Sequence, residues 1–117
     1  MTTKHLGEQA ENRALKFLQS KGLELLLRNY ACRRGEIDLI MQDENCIVFV
    51  EVRMRNNADY GSGAETVTVD KMRKLAFTAE HFLQKHPIPG NLDCRFDVIS
   101  LDDKIDWIQH AFTLDSF

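Results

Sequence analysis

Three carboxylates and one arginine carry the chemistry open to this sequence: Glu8, Asp38, Glu51 and Arg53. Side chains on a strand alternate between its two faces. In the strand-like stretch Glu36–Gln42, Ile37, Leu39 and Met41 therefore share one face, and Glu36, Asp38 and Ile40 the other. In Cys46–Arg53, Ile47, Phe49, Glu51 and Arg53 share a face, and Val48, Val50 and Val52 take the opposite one. A charge beside Val50 and Val52 is expensive to bury unpaired, so Glu51 requires a cation, a metal ion or solvent at the strand end. Asp38 and Glu51 lie 13 positions apart with one tight turn between, on strands that would sit about 4.8 Å apart. Two carboxylates at that spacing repel, and they coexist ionised when a divalent cation sits between them. Oxygen ligands of this hardness suit magnesium or manganese. The plainer alternative is a pair of solvated or salt-bridged strand-end acids. Glu8 borders the apolar face of the first helix, on nearly the bearing of Leu15 seven residues on. It could reach over the sheet edge as a third ligand, or remain a solvated acid favoured by the helix dipole.

The elements that must position these residues follow from periodicity. Leu6, Ala10, Ala14, Phe17 and Leu18 recur at helical spacing within Lys4–Lys21, and Gly22 stops the helix. Leu23–Tyr30 reads as a strand, Ala31–Gly35 as a turn, Glu36–Gln42 as a second strand, Asp43–Asn45 as a turn and Cys46–Arg53 as a third strand. Residues 54–66 carry no period and contain Gly61-Ser62-Gly63, a flexible-loop signal. Thr68 or Asp70 can cap a second helix whose Met72, Leu75, Ala76, Ala79, Phe82 and Leu83 form one apolar face, ended by His86–Gly90. Cys94–Leu101 is a fourth strand, Asp102-Asp103 a turn, and Ile105–Phe112 a candidate fifth strand. The economical architecture is α/β, a mixed sheet flanked by helices, with a parallel pair across the second helix. Residues 1–117 then form a single domain, with the acidic segment 102–117 as its last strand or tail.

The 44% hydrophobic and 28% charged composition is ordinary for a globular chain. No apolar run approaches the roughly 18 residues of a membrane span, and the N-terminus lacks the apolar core of a signal peptide, so a cytoplasmic protein is expected. Cys32, Cys46 and Cys94 form no CxxC pair, and neither they nor the four histidines have zinc-finger spacing. The net charge of −3 is unevenly spread. Residues 91–117 hold six aspartates against Arg95 and Lys104, a net of −4, which leaves +1 for the rest. The basic residues there include Arg33/Arg34, Arg53/Arg55 and Lys71/Arg73/Lys74, candidate phosphate contacts or plain solvated charges. Asp97 faces away from Phe96 and Val98 and suits a structural role, fixing Arg95 or Arg34. Trp107, Phe112 and Phe117 form either a dimer patch or part of the core.

Several runs, taken in order, carry a resemblance. They are Gly7-Glu8-Gln9-Ala10, Asn29-Tyr30 followed by Arg34-Gly35-Glu36-Ile37-Asp38-Leu39-Ile40, and Val48-Phe49-Val50-Glu51-Val52, then Lys71, Arg95-Phe96-Asp97-Val98 and His110-Ala111-Phe112. Together they resemble the YraN family of uncharacterised bacterial proteins, over nearly the whole chain. The resemblance implies similarity to archaeal Holliday-junction resolvases and a restriction-endonuclease-like αβββαβ core that hydrolyses DNA phosphodiesters with Mg2+ or Mn2+. By that resemblance Asp38 and Glu51 are the two motif acids, and Glu8 is the helix-borne third acid. Arg53 stands where the motif has lysine, and Lys71 could supply the ammonium from the second helix. Arginine stays protonated, so Arg53 can hold a phosphate but cannot act as a base. Structured DNA is the implied partner, with Arg33, Arg34, Arg55, Arg73 and Lys74 on its backbone, and related resolvases dimerise. A DNA-binding protein without hydrolysis and a protein-interaction module are the alternatives.

Overall fold

Gly22 decides where the first helix stops. Its φ of 94° lies in the left-handed region open to glycine. The N–H groups of Gly22 and Leu23 donate back to the carbonyls of Gln19 and Leu18 at 3.0 and 3.1 Å, closing a Schellman turn. The computed structural model describes residues 3–54, 67–87 and 92–112, with side chains from Gly7 onward. Its elements are α1 (Thr3–Ser20), β1 (Glu24–Cys32), β2 (Gly35–Asp43), β3 (Cys46–Met54), α2 (Val69–Lys85), β4 (Asp93–Leu101) and β5 (Ile105–Phe112). Thr68 caps α2, accepting from the Lys71 N–H at 3.2 Å.

The five strands lie in the order β1-β2-β3-β4-β5. The pairs β1/β2, β2/β3 and β4/β5 are antiparallel, and β3/β4 is parallel. Tight turns can join only antiparallel neighbours, so the parallel step needs the longer crossover that contains α2. The fold is thus the α/β mixed sheet flanked by helices expected from the sequence, compatible with a restriction-endonuclease-like core, and Ile105–Phe112 is its fifth strand. The first turn is shorter than expected: Cys32 pairs with Gly35, leaving only Arg33 and Arg34 between strands. The loop expected over residues 54–66 falls, beyond Met54, outside the described residues.

Each helix covers one face of the sheet. Ala10, Ala14 and Leu18 of α1 pack with Leu39, Met41, Val48, Val50, Ile99 and Leu101. Leu75, Ala76, Ala79 and Phe82 of α2 pack with Ile37, Ile40, Ile47, Phe49, Phe96 and Val98. Burial on both faces explains the near-continuous apolar runs of β3 and β4. α1 is also tied to both margins of the sheet. Glu11 pairs with Arg28 of β1 at 3.4 Å. Arg13 donates to the carbonyls of Asp102 and Asp103, in the β4–β5 turn, at 2.6 and 3.2 Å.

One expectation of strict alternation fails. Ile37 packs on the α2 side, while Leu39 and Met41 pack on the α1 side. The break falls at Asp38. The neighbouring β1 carries a register shift between Leu25 and Leu27, and Asn29 has a φ of 54°. Local distortion of this kind re-aims a side chain. Among the described residues, no helix is long and apolar enough to cross a membrane.

Candidate active site

The β2/β3 ladder runs from Asp43 and Cys46 to Leu39 and Val50. Asp38 stands at the next step along β2. There its Oδ2 accepts the Val52 N–H at 2.8 Å, so a carboxylate serves where a strand carbonyl would otherwise accept. β3 meanwhile stays paired with β4 as far as Met54 and Leu101. Glu51 follows Ile47 and Phe49 at strand spacing and is buried. Lys71, in the first turn of α2, places Nζ 3.7 Å from Glu51 Oε1.

Burial pushes Asp38 up from an ordinary 3.8 to about 6, against the hydrogen bond from Val52. The charges of Glu11 and Glu36 add to the rise, and Lys71 opposes it. Burial likewise pushes Glu51 up from 4.5 to about 7, with Asp38 adding repulsion and Lys71 and Arg53 pulling down. Two largely desolvated carboxylates, Glu51 raised further by the charge of Asp38 and met by the Lys71 ammonium, form a site short of positive charge. The donors are hard oxygens, and their surplus negative charge fits a hard divalent cation.

Elsewhere on α2, the Arg33-Arg34 turn lies against the helix. A Cβ on Gly35 would meet Thr78 Oγ1 at 2.9 Å and the Lys74 carbonyl at 3.3 Å, so only glycine permits the approach. The result is a hollow lined by Arg33, Arg34, Arg73, Lys74, Asp70 and Phe77. The Arg34 guanidinium sits 4.6 Å from the Phe77 ring centroid.

Comparison with known proteins agrees with the resemblance in the sequence. A family model described as "Uncharacterised protein family UPF0102" matches residues 10–101. The chain belongs to the uncharacterised protein family UPF0102. It is 50% identical over 114 residues to a UPF0102 protein of Methylobacillus flagellatus, covering 94% of this chain and 98% of the relative. A UPF0102 protein of Saccharophagus degradans is 50% identical over 109 residues, covering 92% of each chain. One from Pseudomonas fluorescens is 45% identical, covering 91% of each.

In this UPF0102 chain the sequence-derived candidates divide. Asp38, Glu51, Arg53 and Lys71 gather where β2 and β3 part company, and Arg33, Arg34, Arg73 and Lys74 gather at the hollow. Glu8 lies beside Glu11 and Glu36, whose charges act on Asp38. It is exposed and borders a shallow depression with Gly7, Glu11, Asn29 and Glu36. Among the described residues, no three Asp, Glu, His or Cys side chains stand together as a metal-holding group. Arg55 and Phe117 lie outside the described residues. Asp97 is structural: it accepts from Arg95 Nε at 3.1 Å, Trp107 Nε1 at 2.9 Å and the His110 N–H at 3.1 Å. Half-buried Trp107 meets Phe17 edge-on, and buried Phe112 stacks on Phe96 with centroids 4.5 Å apart, so both pack against the core.

Sequence reasoning passed over three residues. Glu11 and Glu36 act on Asp38, and each was detectable as an acid three or two positions from a candidate. Ser100 is 1% exposed, pairs in register with Arg53, and has no hydrogen-bond partner for its hydroxyl among the described residues. A serine on the Phe96/Val98 face of an apolar strand was the available signal.

Proposed function

We propose that this protein is a metal-dependent endonuclease acting on structured DNA. The observation that carries this reading is the electrostatically coupled pair Asp38 and Glu51, largely desolvated at the edge where β2 and β3 separate. Asp38 and Glu51 would hold Mg2+ or Mn2+, with Glu8 a further candidate from α1. The ion, when bound, would supply an activated water and offset charge on the phosphate. The Val52 N–H fixes the orientation of Asp38. Lys71 balances the Glu51 charge and presents an ammonium at the same place. Arg53, always charged, would hold a phosphate oxygen.

The test is cleavage of flapped, four-way and single-stranded DNA with Mg2+ or Mn2+, beside calorimetric metal titration. Asp38→Asn and Glu51→Gln should each lower cleavage at least about 100-fold. A wild-type protein that neither takes up metal nor cuts any of these substrates overturns the reading. A second reading, DNA binding without hydrolysis, is favoured by Arg53 in the lysine position. It predicts salt-sensitive binding with no cleavage.

A further inference from the structure

The hollow between the Arg33-Arg34 turn and α2 has features the acid pair does not require. It encloses about 440 Å³ around Arg33, Arg34, Phe77 and His81, within the usual range for small-ligand sites. Phe77 is 40% exposed, although Leu75 and Phe82 of the same helix face the core. The Arg34 guanidinium lies over its ring, so a cation and an aromatic face meet at one place. Four cations line the adjoining space against one acid, Asp70. Asp70 pairs with Lys74 at 3.2 Å, but both side chains are well exposed, so solvent weakens that contact.

We infer that this hollow seats an unstacked nucleobase of single-stranded DNA, with Phe77 and Arg34 stacking on the base and Arg33, Arg73 and Lys74 on flanking phosphates. Aromatic rings and guanidinium planes accept any base, and cations beside them track the backbone. A double helix keeps its bases stacked and would use the cations alone. Phe77 follows Lys71 by six helical residues, about 9 Å along α2. A strand with a base at Phe77 thus carries a phosphate only a few nucleotides away to the Lys71 ammonium. The inference rests on DNA as the partner but not on hydrolysis.

The test measures binding without divalent metal, using a single-stranded oligonucleotide carrying 2-aminopurine and the matching duplex. Phe77→Ala should weaken single-strand binding roughly 5- to 100-fold and leave duplex binding within about twofold, and Phe77→Trp should restore it. Thermal unfolding checks that the variants fold. Equal losses on single strand and duplex, or no loss on either, overturn the inference. Wild type that binds no single strand overturns it too. Binding that depends on Phe77 without cleavage by any form sinks the nuclease reading alone. Cleavage by a wild type whose single-strand binding ignores Phe77 sinks this inference alone.

Discussion

Asp38 and Glu51 make the folded protein hold protons that the unfolded chain has released. Their folded values, about 6 and about 7, exceed the ordinary 3.8 and 4.5. Their stabilising contribution is therefore fully present below about pH 4 and is lost as pH rises to about 7. Without metal, stability should fall over that window, by at most about 3 kcal/mol for each group. Chemical denaturation at pH 5 and pH 8 checks this. Asp38→Asn should flatten the slope and raise stability at pH 8, since an amide oxygen can still accept from Val52. A variant less stable than wild type at pH 8 contradicts the assignment. Added Mg2+ should recover stability in wild type and not in Asp38→Asn.

At the scale of elements, the approach of the first hairpin turn to α2 depends on Gly35. Gly35→Ala should destabilise the protein by about 1–3 kcal/mol through overpacking against Thr78 and Lys74. Adding Thr78→Ala should recover part of that loss, because the nearest atom is the Thr78 hydroxyl. Melting temperatures of the single and double variants decide it. Strands and helices were legible because apolar periods of two and 3.6 survive in single segments. The pairing of β3 with β4 followed from the length of the crossover. The break in alternation at Asp38 was not legible, because the β2 sequence reads as an unbroken strand there. The placing of Glu8 beside Glu11, Asn29 and Glu36 was hidden as well, because helix bearing gives a face, not a height over the sheet. The gathering of Arg33, Arg34, Arg73 and Lys74 required two elements to meet, which no local pattern records.

Over the whole molecule, a net charge of −3 coexists with a hollow that collects four cations. Single-strand binding should weaken with salt at a log–log slope of about −2 if Arg33, Arg73 and Lys74 meet phosphates, at about 0.7 per contact. Arg73→Gln should reduce the slope by about 0.7. An unchanged slope would remove Arg73 from the contact surface. The clasp of Arg13 on the Asp102 and Asp103 carbonyls joins positions 89 and 90 residues apart. A helix made early by the ribosome thus gains this tie only when a hairpin made late has formed. Asp38, Glu51 and Lys71 all precede that hairpin in the chain, so the acid pair is synthesised before the clasp on α1 can close.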